Sequence, residues 1–553
     1  MVSTTSSSSD NQHVGALSPF VCACFTLNYL IGTGFLTLPW AFEVGGLGLS
    51  ALAMALTCFV SALAGDYILN AMARADAYTV VMENKHLVED DQDMGANEAK
   101  ALLLFEAKMT TPNEKSYQSI PKDKVDDDMV RTRLRMFAVE FDDSVAGEKV
   151  DTRDEESYQA VVKEHGRLLV SNRKFELTEL CQIFLGKAGL LAYGISASLD
   201  IYGFLWAYSA VFGSAMSKLI PLVDDDEDRD YAIWLGIFAV VVVPMSMLHL
   251  SEQAIVQVIL SGCRILMIVL MVGTPLAAAW FGSGGNVDAD TGPVPHFGQQ
   301  AEAMGAPWVD LAGIQKMFPA VVFSLIFHQA VPGLADEMKD KPKIGLIFGY
   351  TFVLCGIAYG LLGIVGAWYF GEHVHQSANI NWHQYHGGTG TFVHGVLATK
   401  MAWKDVSFWV QCIRTFVVIF PAIDVVSAFP IYAYVLGNTL LGLFHAGNVQ
   451  ELQRDRRVLT FYRAMASIPP IIGGLYMREL GVITDYSGLV GLAIAFCFPP
   501  LLHIKSEQCL RALEAPHRTR YERIGSSQVA AKAMFWFGAV SIIYCVVLLA
   551  SGS

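Results

Sequence analysis

Charged residues are scarce in this chain. They make up 16% of its 553 residues, whereas hydrophobic residues make up 53%, and the mean hydropathy is +0.41. A soluble globular domain carries about 25% charged residues, so this composition excludes an ordinary cytosolic enzyme. Lysine and arginine number 38 against 52 aspartate and glutamate residues, a formal charge of −14. This shortage of positive charge excludes a surface for nucleic acid.

Several common enzyme signatures are also missing. The chain has no GxxxxGK[ST] phosphate-binding loop, no HExxH zinc motif and no GxSxG nucleophile turn, so neither ATP-driven transport nor these hydrolases are indicated. The sequence predicts no enzyme, no cofactor and no metal centre.

Long apolar runs are what the chain has instead. A helix needs about 20 apolar residues to cross the hydrocarbon core of a bilayer, because its backbone groups must be paired within the helix. Eleven runs are long enough: 18–41, 46–73, 190–220, 231–249, 252–281, 315–336, 345–370, 408–437, 458–477, 484–505 and 531–550. The sequence predicts an all-α polytopic membrane protein with eleven transmembrane helices, called spans one to eleven below.

These runs divide the chain into four regions: an N-terminal tail at 1–17, spans one and two at 18–73, an acidic insertion at 74–189, and spans three to eleven at 190–550. Positive charge in the short loops collects on one side, here called the basic face. Its residues are Lys339, Lys341, Lys343, Arg454, Arg456, Arg457, Arg463, Lys505, Arg511, Arg518, Arg520, Arg523 and Lys532. The positive-inside rule predicts a cytoplasmic N-terminus and a non-cytoplasmic C-terminus. The sequence does not distinguish the plasma membrane from a vacuole or lysosome.

The acidic insertion has two interpretations. Its acid-rich, aromatic-poor composition is typical of a solvated, mobile loop. Its short apolar pieces, such as 102–105 and 136–141, also allow it to be a regulatory arm that docks on the membrane domain or on a cytoplasmic protein partner.

Two spans carry helix-breaking residues near their middle. Span one contains Gly32-Thr33-Gly34, and span six contains Pro319 and then Pro332. Exposed backbone at mid-membrane is tolerated only where it lines a cavity or holds a ligand. A half-helix N-terminus attracts a carboxylate, and bare carbonyls attract an ammonium group or a cation. The pattern therefore favours a site for an amino acid or a related zwitterion.

Close helix packing is the alternative explanation, because small residues and proline kinks also occur in spans without a site. The breaks are five spans apart, however, as expected if spans one to five and six to ten form a 5+5 inverted repeat with one extra helix. Breaks at matching positions favour a site.

Three motifs carry a resemblance to a known family: Asn28 through Phe42, Phe318 to Met338, and Ser427-Ala428-Phe429-Pro430. They resemble the amino acid/auxin permease family, and residues 32–34, 71–73 and 175–177 are most similar to its transmembrane protein 104 branch. The resemblance implies the eleven-span inverted-repeat fold and amino acid transport. It also implies that Asn28 and a hydroxyl residue on span eight, placed at Ser427, help to bind sodium.

Ionisable residues inside spans are costly and are functional candidates. Because spans one, five and eight converge in the resembling fold, Arg264 is expected where sodium would sit, with Asp424 as its counter-ion. Transport would then be proton-driven or uncoupled, since arginine stays protonated. A static Arg264–Asp424 ion pair, or an Arg264 that snorkels to an interface, is the alternative. The predicted ion-coupling residues are Asn28, Arg264, Asp424 and Ser427.

The predicted substrate-binding residues follow the two breaks and span three. They are Ile31, Gly32, Thr33, Gly34, Phe323, Ser324, Phe327, His328 and Tyr202. His328 either closes on a substrate or relays protons, or else it hydrogen-bonds a backbone carbonyl. Tyr202 either lines the outer vestibule or packs. Five histidines between spans seven and eight (His373, His375, His383, His386 and His394) allow a pH sensor or a metal site, although a plain surface loop is favoured.

The sequence thus predicts a secondary active transporter, a proton- or sodium-coupled symporter that works by alternating access. Its expected partners are the lipid bilayer and a small amino acid substrate. The alternative is a non-transporting amino-acid sensor that signals through the insertion.

Overall fold

Helices form at each of the eleven apolar runs. The computed structural model describes residues 17–90, 167–170, 175–223, 226–247, 254–281, 307–385, 392–393, 396–397, 407–445, 452, 455–523 and 525–551. Ten helices in this part are long and apolar enough to cross a membrane, and a bent pair in span one makes up to eleven. The chain is an all-α multi-pass membrane protein, as predicted.

Nine of the spans have these bounds: Leu47–Asp90 (two), Leu177–Leu219 (three), Glu227–Ser246 (four), Ala254–Phe281 (five), Ile344–Phe370 (seven), Phe408–Phe444 (eight), Arg456–Tyr476 (nine), Leu480–Leu492 with Phe498–Ala512 (ten) and Gln528–Ser551 (eleven). A π-helical turn, Ala493–Cys497, joins the two parts of span ten. Two short strands, Phe392–Val393 and Val396–Leu397, pair antiparallel between spans seven and eight.

Spans two and three reach beyond their apolar runs. Span two continues past residue 73 to Asp90, and span three begins at Leu177 instead of 190, with a non-helical Gly186 at φ 70° inside it. Hydropathy detects only the membrane-embedded part of a helix, and polar residues can continue it into water. The two ends of the predicted 74–189 insertion are therefore helical. Its residues 91–166 and 171–174 lie outside the described part of the chain.

Spans one and six are both broken. Span one consists of Pro19–Leu30, the 3₁₀ turn Gly34–Thr37 and Leu38–Gly45, and its two halves are bent by 48°. Span six consists of Ile314–Ser324, the 3₁₀ turn His328–Ala330 and Val331–Glu337. A proline stands in the first turn of each second half, where its missing N–H removes no helical hydrogen bond. Each proline thus favours a restart of the helix after the break.

The two breaks touch each other. A Cβ atom on Gly34 would lie 2.8 Å from the Cα atom of Ser324 and 3.0 Å from the ring of Phe323. Only glycine permits this approach of one backbone to another. The unwound parts of spans one and six therefore lie side by side.

The ends of these spans are also tied together on the basic face. The Leu17 N–H donates to the Glu337 carbonyl at 2.9 Å, and the Lys339 N–H donates to the Leu17 carbonyl at 3.2 Å. The Lys341 ammonium group donates to the last carbonyls of span six, those of Ala335 and Asp336, at 2.7 and 2.6 Å. This is the position at which a cation stabilises a helix C-terminus.

Arg74 organises a second assembly on this face. Its side chain is 1% exposed and pairs with Glu522 at 2.9 Å. The same guanidinium donates to the carbonyls of His517 and His503 at 2.9 and 3.0 Å and to the Ser506 hydroxyl at 3.3 Å. A buried guanidinium with this many acceptors fixes the elements around it, here the end of span two, span ten and the loop after span ten.

Residues 167–170 of the insertion join the same loop. The Leu168 N–H donates to the Arg518 carbonyl at 2.9 Å, and the Arg520 N–H donates to the Leu168 carbonyl at 3.0 Å. The Tyr521 hydroxyl accepts from the Val170 N–H at 3.4 Å and donates to the Lys341 carbonyl at 3.1 Å. Arg74, residues 167–170 and residues 517–523 are called the basic-face clasp below.

The outer surface of the helices is apolar, as a bilayer requires. Large hydrophobic side chains are exposed on many spans, among them Leu52 (67%), Val240 (76%), Ile259 (60%), Ile357 (59%) and Val540 (61%). Lipid covers these side chains in a membrane, whereas water would leave them as an aggregation-prone surface.

Candidate functional site

A buried ion pair lies beside the end of the first half of span one. Arg264 on span five binds Asp424 on span eight through two parallel contacts, at 2.7 and 3.0 Å, and both residues are buried. The same guanidinium donates to the Asn28 carbonyl at 3.1 Å. The structure thus brings together Asn28, Arg264 and Asp424, which the sequence placed at one site. A planar guanidinium suits this arrangement, because it binds a carboxylate in bidentate fashion and still reaches a carbonyl.

The carbonyl of Leu30, the last residue of this half-helix, has partners too. It accepts from the Tyr359 hydroxyl on span seven at 2.8 Å and from the Gly32 N–H at 2.9 Å. A helix C-terminus has unpaired carbonyls that attract positive charge. Here, side chains of spans five and seven already bind two of these carbonyls, those of Asn28 and Leu30.

The Asn28 carbonyl, where the family resemblance implies sodium, is occupied by a guanidinium in this structure. Sodium is coordinated by oxygen atoms, and the Asn28 carbonyl is bound by a permanent cation, Arg264. The Ser427 hydroxyl donates to the Asp424 carbonyl at 2.8 Å within its own helix. A second cation would meet the repulsion of the guanidinium in a medium of low dielectric.

The break in span one places polar groups in the protein interior without hydrogen-bond partners within the helix. Ile31, Thr33 and Gly34 are buried, and the Thr33 hydroxyl has no hydrogen-bond partner among the described residues. The first N–H groups of a helix lack partners within that helix, and the second half of span one restarts at Gly34. The buried hydroxyl and these N–H groups suit a small polar ligand.

An aromatic wall stands beside the break. Phe204 on span three stacks on Phe323 of span six at 4.6 Å between ring centroids and lies 5.6 Å from Tyr432 on span eight. Tyr432 also contacts Tyr208 and Tyr29 at 5.7 and 6.3 Å. A Cβ on Gly32 would lie 3.7 Å from the Tyr208 hydroxyl oxygen, so this hydroxyl faces the unwound segment.

The other predicted residues of span six point in different directions. The Ser324 hydroxyl donates to the Val321 carbonyl at 2.7 Å, and Phe327 packs among Phe348 and Phe352 of span seven. The His328 Nε2 lies 3.1 Å from the Ser61 carbonyl on span two. A carbonyl only accepts, so Nε2 carries the hydrogen, and the backbone contact that sequence reasoning kept open is present.

Tyr202 does not reach the breaks. Its hydroxyl donates to the Met465 carbonyl of span nine at 2.6 Å. The face of span three that meets the site instead carries Asp200, Phe204 and Tyr208. These residues are spaced by four, the spacing of one helix face, and that signal was present in the sequence. Tyr432, Tyr29 and Tyr359 had no comparable sequence signal, because their contacts cross between distant spans.

The histidine-rich loop forms no metal cluster in the described part of the chain, and His386 and His394 lie outside the described residues. Burial, together with the nearby positive charges of Arg414 and Lys218, lowers the pKa of His383 to about 4. Burial also lowers the pKa of His375. Both rings are therefore neutral at pH 7.

Comparison with known proteins gives a family match over most of the chain. The family described as transmembrane amino acid transporter protein matches residues 148–549. Among relatives, the transmembrane protein 104 homolog of Dictyostelium discoideum is 20% identical over 494 residues, which cover 88% of each chain. Transmembrane protein 104 of Mus musculus is 22% identical over 511 residues, covering 88% of this chain and 86% of its own. The Homo sapiens protein of that name is 21% identical with the same coverage.

Proposed function

Because the chain belongs to the transmembrane amino acid transporter family, we propose that it is a secondary active transporter of amino acids or related small zwitterions. One observation carries the proposal: spans one and six are both broken, and Gly34 at one break would contact Ser324 at the other if it carried a Cβ. Two adjacent unwound segments offer backbone donors and acceptors at one place, which suits a substrate with both charges.

The substrate carboxylate binds the N–H groups where the second half of span one restarts, near Gly34, with the Thr33 hydroxyl as a further donor. This end of a half-helix is positive. The ammonium group faces the carbonyls at the end of the first half of span six, near Ser324. The aromatic wall of Phe204, Phe323 and Tyr432 covers the side chain and excludes water.

Protons, not sodium, drive the transport. Arg264 already supplies positive charge at the Asn28 carbonyl, where the family resemblance puts sodium, and the Asp424 carboxylate is its counter-ion. A fixed guanidinium holds the first half of span one to spans five and eight without any ion from solution. A sodium gradient is then not expected to drive uptake.

Alternating access follows from a 5+5 inverted repeat of spans one to five and six to ten, with span eleven as the extra helix. The hydrogen bonds between Leu17 and span six support a state in which the basic face is closed. Opening this face requires that these bonds break while spans one and six turn about their breaks. The basic face is the cytoplasmic side, with the N-terminus cytoplasmic and the C-terminus non-cytoplasmic.

Uptake by purified protein in liposomes tests the proposal. A panel of labelled amino acids is offered under separate proton and sodium gradients, with choline as the sodium replacement. We expect accumulation under an inward proton gradient and no change when choline replaces sodium. Strong sodium dependence would contradict the role of Arg264, and absence of uptake for the whole panel would contradict carriage of amino acids.

A second candidate, a non-transporting amino-acid sensor, is favoured by the basic-face clasp. Residues 167–170 connect the acidic insertion to the loop beside span six, so a change at the broken spans can reach the insertion and any cytoplasmic protein bound there. The liposome assay separates the two functions, since a sensor binds label without accumulating it.

A further inference from the structure

A carboxyl group buried in span three has one hydrogen-bond partner among the described residues, and this partner is neutral. Asp200 is 0% exposed. One of its oxygens accepts from the Gln329 amide on span six at 2.7 Å, and the other oxygen, Oδ1, has no hydrogen-bond partner among the described residues. Half of this carboxyl group is therefore unsatisfied in the interior of a membrane protein.

The groups that face Asp200 carry no positive charge in the described part of the chain. Span ten presents Gly491, where a Cβ would lie 3.6 Å from Oδ1, and the break of span six presents Ile326 and Gln329. The titratable neighbour is Tyr193, two turns earlier on the same helix, and a phenol is neutral at physiological pH. An ionised Asp200 would thus be an uncompensated charge, so this environment favours the protonated acid.

Two other buried carboxylates in the spans are different. Asp424 binds Arg264 at 2.7 Å, and Asp66 faces Arg523 at 3.4 Å. A guanidinium beside a carboxylate favours its ionised form, whereas Asp200 has no such cation beside it in the described part of the chain. Asp485 on span ten is also buried, with an unpartnered oxygen, and Lys316 is the charged group that faces it. Asp485 is therefore a matched comparison: a buried span carboxyl group that, unlike Asp200, has a cationic side chain facing it.

Asp200 is connected directly to the break in span six and to the aromatic wall. Its partner Gln329 lies in the 3₁₀ turn with which span six resumes after its break. Phe204 and Tyr208, one and two turns later on the same face of span three, form part of the aromatic wall. Loss of the proton creates a buried charge next to the break, and this charge is relieved only when water reaches it.

We propose that Asp200 is the proton-binding site of the transport cycle, a proposal that rests on the proposed proton-driven function. The carboxylate takes one proton from water on one side of the membrane when substrate binds. In the closed state, while access changes from one side of the membrane to the other, the acid is neutral and hydrogen-bonded to Gln329. After the opposite side opens, the O–H bond breaks, water there accepts the proton, and the carboxylate returns empty or with exchange substrate.

Asp200→Asn tests this assignment, because the amide has the shape of the protonated acid but cannot release a proton. One proton per cycle allows about tenfold accumulation per pH unit of gradient. We expect the unaltered protein in liposomes to accumulate substrate under a proton gradient and Asp200→Asn to reach only equilibrium, an accumulation ratio of about one. Exchange of internal for external substrate by Asp200→Asn should no longer depend on pH.

Asp485→Asn is the matched control, and it should keep both the accumulation and its pH dependence. Gln329→Met covers the case in which Asp200→Asn does not fold. This variant keeps the acid but removes the donor that favours its ionised form, so the pH midpoint of uptake should move to higher pH.

Accumulation and pH dependence in Asp200→Asn like those of the unaltered protein would overturn the assignment, as would an unshifted midpoint in Gln329→Met. If Asp485→Asn were the variant that lost accumulation, the proton site would be on span ten. Failure of the unaltered protein to take up any amino acid would instead remove the proposed function, and this inference with it.

Discussion

At the scale of single residues, the site is defined by which buried charges have partners. Arg264 has a carboxylate and a carbonyl as acceptors, whereas the one partner of Asp200 in the described part of the chain is an amide donor. In a medium of low dielectric, the first arrangement fixes both charges and the second favours neutrality. Two aspartates in neighbouring spans therefore have different tasks: Asp424 holds a structure together, and Asp200 can titrate.

Removing one member of the Arg264 and Asp424 pair should destabilise the protein more than removing both. Arg264→Met or Asp424→Leu alone leaves an uncompensated buried charge and should cost about 3–5 kcal/mol, whereas a double variant with apolar replacements should recover more than half of this loss. The thermal unfolding midpoint of detergent-purified protein measures the effect. Arg478→Met is the control, since its pair with Asp228 is exposed and should contribute at most about 1 kcal/mol. A double variant as unstable as either single variant would contradict this account.

The pH dependence of stability should contain a contribution from His383. Its pKa is about 4 in the folded protein and about 6.5 in an unfolded chain, so only the unfolded state gains a proton as the pH falls between these values. Folding stability should therefore decrease from pH 7 to pH 4. We expect the unfolding midpoint to fall less over this range in His383→Gln than in the unaltered protein. Parallel curves for the two proteins would show that His383 is not buried as described.

At the scale of elements, the breaks in spans one and six are the features that form the proposed substrate site. Both breaks were predicted from glycine and proline near mid-membrane, since these residues change local backbone preference wherever they occur. Both broken spans also have a proline in the first turn of the helix that follows the break, Pro39 and Pro332, so the proposed transport cycle would turn the half-helices at these two places.

Gly34 should tolerate no side chain. In Gly34→Ala the new Cβ would lie 2.8 Å from the Ser324 backbone, which must move away, and such overpacking costs about 1–3 kcal/mol. Because the displaced backbone belongs to the proposed substrate site, we expect uptake in liposomes to fall by about tenfold or more. Gly360→Ala is the control, since its Cβ would meet nothing within 4 Å, and it should transport normally. Normal uptake by Gly34→Ala would show that the two breaks do not need to touch.

The sequence predicts the positions of the helices more accurately than it predicts which side chains contact each other. Hydropathy located the spans because each apolar run is long enough by itself. It placed the start of span three near 190 because the polar turns from Leu177 onward carry no hydropathy signal. On that span it chose Tyr202, which binds span nine, over Tyr208, which faces Gly32. The four-residue spacing of Asp200, Phe204 and Tyr208 groups them on one face of the helix, but which face meets the breaks depends on packing between distant segments.

At the scale of the whole molecule, the basic-face clasp links segments that are far apart in sequence. It joins span two, the end of the insertion, span ten and the loop at 517–523, and through Tyr521 it reaches Lys341 beside span six. Any movement of the second half of span six on this face must therefore be accommodated by the clasp.

Arg74→Gln should loosen the clasp. The variant removes the ion pair with Glu522 and most of the hydrogen bonds to span ten and its loop, so the segment 517–523 should become more accessible. Limited trypsin digestion of membranes should cleave Arg74→Gln faster after Arg518, Arg520 or Arg523 than it cleaves the unaltered protein. Arg511→Gln, which removes a pair with Glu507 at a half-exposed side chain, is the control. Equal cleavage rates in all three proteins would mean that Arg74 does not hold the loop.

The clasp and the Leu17 contact also bear on whether spans one and two stay associated with the other spans when the chain is cut. Spans one and two are bound to the rest of the protein by Arg74 at one end and by backbone pairing with Glu337 at the other, on top of the apolar packing between helices. A gene cut within the codons for 91–166 should therefore yield two separately translated pieces that find each other in the bilayer and copurify through a tag on only one of them.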